Sequence, residues 1–445
     1  MTTGRSSLVL LLLALLLEAG YLALRRLGDF QQWLPEFVGV SLAISLFYLV
    51  SCWWITRTSG QGANRNLAFI LVAGLVFRFT LLAVYPSLSE DPHRYRWEGK
   101  LQAAGGNPYR ERPDDPRWAR LRDRTWHAVN RKDFRAGYGP LLQWLQRLTY
   151  AAVSRLTADE FRQVQYSKAP YLLFDVATAG VLLLLLDRLG RPRSWALVYF
   201  WSPLPVVEFW AGGHNDPVVV FLIVTAIWAG LSRRWGLAFG ALWLAALSKF
   251  WPFLLFPLFL WSGGLAAVKG RALRAAAWIP VAAAISLPYA DGARELLRTL
   301  SGLAAGWRNN ASLYNVIHWI AGGDYERGRP MVGVLLVVVA LAVAARRPSL
   351  PRGALWIIVA SLFLSANCFP WYLTWFLPLM AVRAQPALLL WTALAPLSYH
   401  VVIPYALLGL WQEDPFYLVL EYVPVFAMLA VSGWRRAPAA PAIME

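Results

Sequence analysis

LAFILVAGLVFRFTLLAVYP, residues 67–86, is a predominantly apolar run that leads almost directly into SEDPHRYRWEG, residues 89–99. A run of this length is what a helix needs to cross the hydrocarbon core of a bilayer. The polar stretch therefore begins where a helix leaves the membrane, and it opens with two adjacent acids, Glu90 and Asp91, followed closely by arginines. Carboxylates at a membrane surface beside guanidinium groups suit proton removal from a hydroxyl next to an anionic leaving group.

The composition extends this interpretation to the whole chain. Of 445 residues, 58% are hydrophobic and 15% are charged, which is typical of a protein with many membrane spans and excludes an ordinary soluble domain. The 24 Trp and 18 Tyr fit the aromatic belts of membrane interfaces. The net charge of +17 has two explanations: arginines that hold loops on the cytoplasmic side, or attraction to anionic lipid head groups. Nucleic acid is not an expected partner, because the basic residues are dispersed between apolar runs.

The succession of apolar segments predicts the fold class. Such segments recur from residue 8 to residue 433, several of them shorter than a simple span requires, and Pro252 and Pro257 interrupt the pair at 236–263. We therefore predict an all-α, polytopic transmembrane helical bundle of about 11–14 helices. No linker rich in Ser, Gly or Pro divides the chain, so residues 1–445 are expected to form a single domain.

The placement of arginine predicts the orientation of this bundle. With the N-terminus inside, the inner loops hold basic clusters such as those at 188–193 and 346–352, whereas the short outer loops at 212–216 and 405–415 hold no Lys or Arg. The expected location is the cell inner (plasma) membrane, with multiple passes and a cytoplasmic N-terminus. If residues 1–24 are instead a cleaved signal peptide, every later loop keeps its side.

Two long hydrophilic stretches then lie outside. The first large outer loop is residues 87–168, in which residues 115–121 are expected to form a short interfacial helix with an aromatic anchor. The second outer loop is residues 291–329.

Asp91 is the first candidate for chemistry. It is suited to act as a general base that takes a proton from an acceptor hydroxyl, with Glu90 as the alternative acid. Arg94 and Arg96 are expected to keep the carboxyl ionised and to bind a phosphate bidentately. A structural explanation stands beside each: Asp91 before Pro92 is a common helix start, and the arginines also suit a solvated basic face. Both explanations of Asp91 can hold together.

Polar residues inside apolar surroundings form a second set of candidates. The turn Gly212–Pro217 contains His214, Asn215 and Asp216 and lies at the outer end of a span, where such residues are costly unless they face a cavity. It can also be a plain tight turn. Lys249 lies within a strongly apolar stretch, so it needs an anionic partner or must extend to the interface.

Two aromatic and amide clusters complete the candidates. Residues 307–310, with Arg308 and Asn310, and residues 367–372, with Trp371 and Tyr372, can line a sugar site or anchor the chain at the interface. Neither the two cysteines nor the five scattered histidines form a recognisable metal motif. No cofactor is required, although a divalent metal is possible if Glu90, Asp91 and Asp216 meet.

Three motifs in order carry a resemblance to a known family. They are D-x-x-R-Y-x-W-x-G at 91–99, G-G-N-P-Y at 105–109 and Y-x-P-L-L at 138–142. The chain resembles the GT-C superfamily of polytopic glycosyltransferases and, within it, the bacterial polyprenol-phosphate-mannose-dependent mannosyltransferases of glycosyltransferase family 87. One departure is that the acidic loop follows the third span rather than the first, which residues 1–66 explain if they are extra N-terminal spans.

The resemblance implies an inverting transferase that moves a hexose, mannose above all, from a polyprenyl-phosphate sugar to a lipid or glycan acceptor on the outer face of the membrane. Asp91 takes the role of the family's acidic residue. The motifs add Asn107, Tyr109 and Tyr138 as substrate-binding candidates. Together with Arg94 and Arg96, the candidates for stabilising the leaving phosphate are His214 and Lys249.

Two other classes of function remain open at this level. A transporter or flippase for lipid-linked oligosaccharide or polysaccharide also has many spans, but it usually keeps its polar residues within them and often has inverted repeats. A noncatalytic assembly subunit is the other alternative. No G-x-G-x-x-G nucleotide motif follows a strand, which fits a lipid-linked donor.

Overall fold

The computed structural model of the protein describes residues 3–58, 66–306 and 308–431, and this part of the chain is predominantly helical. No β-strand occurs within these ranges, where the β-pairing consists of an isolated parallel bridge between Asn309 and Asn367. The predicted all-α class is confirmed.

The α-helices follow one another through short connections, some of them 3-10 helices. In chain order the α-helices of the described residues are α1 (Thr3–Leu27), α2 (Leu34–Thr58), α3 (Leu67–Leu82), α4 (Asp91–Ala103), α5 (Pro140–Leu156), α6 (Glu160–Tyr166), α7 (Ala169–Arg188), α8 (Leu197–Phe200), α9 (Pro217–Leu231), α10 (Trp235–Ser248), α11 (Phe256–Trp261), α12 (Leu265–Ala276), α13 (Ile279–Ser286), α14 (Ala293–Gly306), α15 (Leu313–Ile320), α16 (Tyr325–Ala345), α17 (Leu350–Phe363), α18 (Leu377–Val382), α19 (Pro386–Leu394), α20 (Val402–Leu408) and α21 (Pro415–Val431).

The lengths and compositions of these helices are those of a membrane protein. The runs of the described residues that are long and apolar enough to cross a membrane are Ser7–Leu27, Leu34–Thr58, Glu160–Arg188, Ala266–Gly302, Glu326–Ala345 and Pro386–Leu408. Six further apolar helices are shorter, with 10–17 residues. The polytopic helical bundle is therefore confirmed, whereas the exact number of spans stays a prediction, because the shorter helices do not cover a bilayer by themselves.

The two ambiguous segments at 236–263 are one broken element. α10 ends at Ser248, and Lys249 then has an extended backbone, with φ −137° and ψ 133°. Helical structure resumes only at a 3-10 helix, Trp251–Leu255. Gly139 packs against this break: its N–H donates to the Ser248 carbonyl at 2.9 Å, and a Cβ at residue 139 would lie 2.1 Å from the Leu247 carbonyl oxygen. The break thus joins the Tyr138 segment to the centre of the bundle.

The first large outer loop is itself helical. α4 packs against α5 and α6, and most of its polar side chains are buried. Residue 99 must be glycine for this approach, because a Cβ there would lie 2.4 Å from the Gln146 carbonyl oxygen. The expected short helix at 115–121 is present as a 3-10 helix, Pro116–Leu121, capped by the Asp115 side chain.

The two stretches predicted to lie outside meet at one end of the bundle. Asn107 and Arg110 of the first stretch both donate to the carboxylate of Asp291, and the Arg110–Asp291 ion pair is 2.9 Å. Trp144 of the first stretch also donates its indole N–H to the carbonyl of Ile285, which belongs to α13 just before the second stretch, at 3.0 Å. The second stretch begins within the helical run Ala266–Gly302 rather than in a separate loop. The contact between the two stretches is consistent with their lying on the same side of the membrane. That this side is the outer one stays a prediction.

A buried ion pair connects the helices that lead to this end. Arg78 of α3 and Asp175 of α7 are both fully buried, and Arg78 Nε lies 2.7 Å from Asp175 Oδ2. Asp175 also accepts from the Tyr199 hydroxyl at 2.7 Å and from the Trp210 indole N–H at 2.8 Å. Arg78 donates in addition to the Phe200 carbonyl. Four parts of the bundle, α3, α7, α8 and the π-helical segment that contains Trp210, are therefore held by one carboxylate and one guanidinium.

We expect Asp175→Ala to lower the free energy of unfolding by about 3–5 kcal/mol, because it leaves the Arg78 charge buried without a counter-ion. The double variant Arg78→Met with Asp175→Asn removes both charges, so it should be less destabilised than the single variant. Unfolding of the purified proteins in one detergent, followed by loss of native tryptophan fluorescence, makes the comparison. A double variant as unstable as Asp175→Ala would show that the unpaired charge of Arg78 is not the cause of the destabilisation.

Candidate active site

A cavity of about 840 Å³ lies where the two predicted outer stretches meet. Its wall is formed by residues within 87–98, 130–138, 308–309, 367–372 and 398–413. Its lining combines aromatic and charged side chains. The aromatic residues include Phe369, Trp371, Tyr372, Tyr399, Tyr405 and Trp411, and the charged residues include Glu90, Asp91, Arg94 and Arg131. An apolar wall facing a few positioned polar groups is typical of a small-molecule site.

Asp91 is the most strongly oriented carboxylate on this wall. Its Oδ2 accepts from the hydroxyls of Tyr138 at 2.8 Å and Tyr95 at 3.1 Å, and its Oδ1 accepts from Asn130 Nδ2 at 2.8 Å. Burial, and to a smaller extent the charge of Asp91, raises the pKa of each tyrosine well above the ordinary value for tyrosine. Both hydroxyls therefore stay protonated and act as donors. The Asp91 side chain keeps 16% exposure, which leaves it accessible from the cavity.

Glu90 lies beside Asp91 but is held differently. Its contact is the Tyr405 hydroxyl at 3.4 Å, which does not fix the orientation of the carboxyl group. Burial and the charge of Asp91 raise the pKa of Glu90, while Lys132 opposes this rise. Glu90 is the last residue before α4 and does not cap it, and Asp91 is the first residue of the helix. The predicted helix start at Asp91 is therefore confirmed, although Glu90 and not Asp91 occupies the N-cap position.

The turn Gly212–Pro217 lies directly behind the cavity wall. A π-helix, Pro205–Ala211, leads into it, and this rare conformation is frequent at functional sites. Gly213 has a φ of +74°, and a Cβ there would lie 2.9 Å from Lys168 Cγ. Lys168 is buried and donates to four carbonyls of two segments. These are the carbonyls of Leu82 at 3.1 Å, Val84 at 2.8 Å, Trp210 at 2.8 Å and Ala211 at 3.3 Å.

His214 lies between two carboxylates, although neither contact is a hydrogen bond. Its Nδ1 is 3.8 Å from Asp91 Oδ2 and its Nε2 is 3.6 Å from Glu208 Oε2. The imidazole stacks on Trp371 with a centroid distance of 3.8 Å. Burial lowers the pKa of His214 to about 4, against the opposing effects of Asp91 and Asp216. The ring is therefore neutral at physiological pH.

Lys249 finds its anionic partner within the protein. Its Nζ lies 2.8 Å from Asp216 Oδ1, which also accepts from the Trp375 indole N–H at 2.6 Å. The ammonium group is further surrounded by the rings of Tyr138, Tyr372 and Trp375, at 5.2–5.8 Å. Lys249 and the residues of the turn do not line the cavity, and the tyrosines separate Lys249 from it. Direct contact with a donor phosphate is therefore not supported for Lys249 or His214.

Arg94 and Arg96 are already occupied by protein groups. Arg94 donates to Glu98 at 2.8 Å and to the carbonyls of Asn130, Arg131 and Phe134, so its nitrogens shape the cavity wall instead of facing into it. Arg96 donates to a different set, Gln163, Asp123 and Thr125, and does not line the cavity. Arg94 and Glu98 thus form an ion pair four residues apart on α4. A phosphate-binding role is not supported for either arginine.

The remaining candidates divide between cavity and framework. Arg308, Trp371 and Tyr372 line the cavity, as does Tyr138. Asn107 bonds to Asp291, and the hydroxyl of Tyr109 donates to the Tyr138 carbonyl at 2.6 Å, so both support the wall from behind. Asn310 is buried and donates to Cys368 O and Glu421. Asn215 is buried with neither amide atom hydrogen-bonded. Trp307 is outside the described residues.

Several residues of the site were not found from the sequence. Tyr95 and Asn130 orient Asp91. Glu208 lies behind Asp91, and Tyr399 lies beside it. Tyr95 was inside a quoted motif, and its spacing of four residues from Asp91 on a helix was the available signal. Glu208 was hidden in an apolar run, where a single acid should itself have indicated a site. Asn130 and Tyr399 had no local signal.

The three carboxylates that could together have held a divalent metal do not meet. In the described part of the chain no set of three His, Cys, Asp or Glu side chains is arranged to hold a metal ion. Glu90 and Asp91 are neighbours at the cavity, but Asp216 lies behind the wall with its Oδ1 bonded to Lys249 and Trp375. The three carboxylates therefore do not converge.

Comparison with known proteins identifies the family. Residues 7–263, more than half of the chain, match the model of the MptA_B family, described as alpha-(1->6)-mannopyranosyltransferase, N-terminal domain. No curated protein and no solved structure matches the chain. The matched range includes Asp91, Tyr138, Glu208 and His214, so it covers the oriented carboxylate of the cavity and the turn behind it. The enzyme class is therefore a glycosyltransferase that transfers mannose, in preference to a transporter or an assembly subunit. The chain belongs to the alpha-(1->6)-mannopyranosyltransferase family.

Proposed function

We propose that the protein transfers mannose from a polyprenyl-phosphate mannose to a hydroxyl group of a lipid or glycan acceptor, with Asp91 as the general base. The observation that carries the proposal is the position of Asp91: a carboxylate oriented by three donors on the wall of a cavity large enough for two reacting groups. A general base must reach the proton that it removes, and Asp91 is accessible from the cavity.

The reaction follows from the geometry and from the family's α-linked product. Asp91 takes the proton of the acceptor hydroxyl as its oxygen attacks the anomeric carbon. The bond between that carbon and the phosphate oxygen breaks, and polyprenyl phosphate leaves with the electron pair. A single displacement inverts the anomeric centre, so an α-mannoside requires a β-linked donor.

The aromatic residues of the cavity suit the sugar. Phe369 stacks on Trp371 with a centroid distance of 4.5 Å and an interplanar angle of 7°, and Trp371 stacks in turn on His214. Asn309 also belongs to the lining, and its side-chain oxygen has no hydrogen-bond partner. We propose that mannose binds against these aromatic residues, with the Asn309 amide near its hydroxyls.

Arg308 is an exposed arginine of the cavity lining that can bind the donor phosphate. It lines the cavity, its side chain is 40% exposed, and its Nε is 3.6 Å from the nearest carboxylate oxygen, that of Glu413. Arginine stays charged and binds phosphate bidentately. We therefore assign the phosphate contact to Arg308 in place of Arg94, Arg96, His214 and Lys249, whose positions are described above.

The proposed location follows from the grouping of the loops. The cavity lies at the end of the bundle to which the sequence assigns the outer loops, while the arginine-rich loop at 188–193 belongs to the predicted inner side. We propose a plasma-membrane enzyme with a cytoplasmic N-terminus that uses its donor from the outer leaflet.

We expect Asp91→Asn to lower the rate of mannose transfer by about 100-fold or more, because the amide cannot accept a proton from the acceptor. Donor binding and expression should change little, since the volume is kept. Transfer from a radiolabelled polyprenyl-phosphate mannose by the purified protein measures the effect. Glu90→Gln is the matched control and should keep most of the activity; the reverse pattern would assign the base to Glu90.

Arg308→Met should raise the Kd of the donor by roughly 10- to 100-fold, the equivalent of losing a charged hydrogen bond. Arg112→Met is the control, because Arg112 is similarly exposed and paired with Asp114 but does not line the cavity. Lys249→Met should lower the midpoint of unfolding, since it leaves Asp216 buried without its cation. The Kd of the donor should change little in this variant. Equal donor Kd values for Arg308→Met and the native protein would remove Arg308 from the phosphate site.

The orientation can be tested by cysteine labelling. Ala158 and Arg191 are exposed on opposite sides of the long run Glu160–Arg188, and the two native cysteines are buried. In intact cells a membrane-impermeant thiol reagent should label Ala158→Cys, whereas Arg191→Cys should react only after permeabilisation. The opposite pattern would place the cavity on the cytoplasmic side.

A further inference from the structure

Glu413 belongs to the lining of the cavity, and the mechanism above gives it no role. Its side chain is 10% exposed, and its Oε1 accepts a hydrogen bond from the backbone N–H of Asn310. Its Oε2 lies 3.6 Å from Nε of Arg308. A backbone N–H and a guanidinium group therefore lie next to one carboxylate. These are two kinds of donor that proteins use to bind an anion such as phosphate.

The chain segment that carries both donors is held in place from behind. Asn310 has a φ of +53°, a left-handed conformation in which asparagine is found more often than most residues. Its carbonyl accepts from the Tyr422 hydroxyl at 2.7 Å, and its side-chain amide donates to Glu421 at 3.1 Å. The main chain at Arg308 and Asn310 is therefore expected to keep its position when Glu413 moves.

Glu413 is attached to the bundle in a different way. It lies in the connection between α20 and α21, which runs without a helix from Gly409 to Asp414. The backbone N–H of Asp414 donates to Nε2 of His400 at 2.9 Å, which anchors the main chain next to Glu413. Rotation of the Glu413 side chain is then sufficient to take its carboxylate away from Arg308. Because Glu413 lines the cavity, the position that it leaves opens onto the cavity.

We propose that Glu413 is an internal competitor for the donor phosphate: its carboxylate holds the contacts with Arg308 and the Asn310 N–H until the phosphate replaces it. This inference rests on the proposed function, which assigns the phosphate contact to Arg308. It adds the N–H of Asn310 as a second donor to the phosphate. The two anions repel each other when they share one guanidinium group, so binding of one disfavours the other.

The exchange gives the carboxylate a role before and after transfer. Before the donor binds, Glu413 compensates the charge of Arg308 among the aromatic residues of the cavity. After transfer, the phosphate has become a monoester, which carries more negative charge near neutral pH than the phosphodiester of the donor. Polyprenyl phosphate is therefore expected to bind Arg308 strongly, and the return of the Glu413 carboxylate favours its release.

The first test compares two lipids that differ in the phosphate alone, polyprenyl phosphate and the corresponding polyprenol. Glu413→Gln keeps the shape of the side chain but removes the charge that competes for Arg308. The Kd of polyprenyl phosphate should fall by about tenfold, because a neutral amide binds a guanidinium group less strongly than a carboxylate does. The Kd of polyprenol should not change. Both values are measured with radiolabelled lipids and the purified protein in one detergent.

A purely structural role for Glu413 predicts the opposite sign, with weaker binding of both lipids. Glu160→Gln is the matched control, because Glu160 is also paired with an arginine, Arg124, at 2.8 Å but does not line the cavity. It should keep both native Kd values. Glu413→Ala carries the test, with the same expected sign, if the glutamine variant does not fold.

The gain in affinity must also depend on Arg308. In an Arg308→Met background, Glu413→Gln should no longer lower the Kd of polyprenyl phosphate, because both substitutions act on one contact. A gain that persists at full size in this background would show that the carboxylate does not compete for Arg308, and would overturn the inference.

Two outcomes separate this inference from the proposed function. If Arg308→Met weakens the binding of polyprenyl phosphate but Glu413→Gln does not strengthen it, the competing carboxylate is wrong and the phosphate contact of Arg308 stands. If Arg308→Met leaves that Kd unchanged, the phosphate contact in the proposed function itself fails. Stronger binding of polyprenyl phosphate, but not of polyprenol, in Glu413→Gln supports both when it is lost in the Arg308→Met background.

Discussion

The buried pair of Arg78 and Asp175 is the constraint on which the site depends. α3 continues into the segment that ends at Asp91, and Trp210, bonded to Asp175, stands two residues before the turn Gly212–Pro217. The ion pair therefore fixes the two chain segments that bring Asp91 and His214 to within 4 Å of each other. Desolvation makes such a pair costly, so its contribution lies in holding one arrangement rather than in raising stability over an apolar core.

Other buried cations reinforce the same geometry by different means. Lys168 joins the end of α3 to the end of the π-helix through backbone carbonyls alone. Lys249 lies at the break after α10 and pairs with Asp216 of the turn. Because Gly139 donates to the Ser248 carbonyl at the same break, the pair also ties the Tyr138 segment to the turn. Charged groups in a membrane bundle are expected to have functional reasons for being there. Here their role is to support a rigid wall, so that the groups facing the cavity are held in position before substrate arrives.

The sequence predicted what depends on local patterns. The all-α class followed from the length of the apolar runs. Asp91 was found because it begins a polar stretch directly after an apolar run. These predictions needed no knowledge of which helices pack together. Membership of a mannosyltransferase family also agrees with the motifs at 91–99 and 138–142.

The sequence could not predict what depends on distant partners. Lys249 was recognised as needing an anion, but Asp216 lies 33 residues earlier in the chain, and the contact exists only because α9 packs against α10. The same limit explains Arg94 and Arg96, whose carbonyl and amide partners come from distant turns of the outer stretch. Glu208 was missed because a π-helix leaves no distinct periodicity in so short a run.

The central claim is that the Asp91 carboxylate removes the proton of the acceptor hydroxyl. An experimental structure of the inactive Asp91→Asn variant with both the lipid-phosphate mannose and an acceptor bound tests it most directly. The account predicts that the acceptor oxygen lies about 2.6–3.2 Å from the side chain at position 91 and faces the anomeric carbon opposite the phosphate. An acceptor oxygen held instead by Glu90 or Glu413, out of reach of position 91, would contradict it.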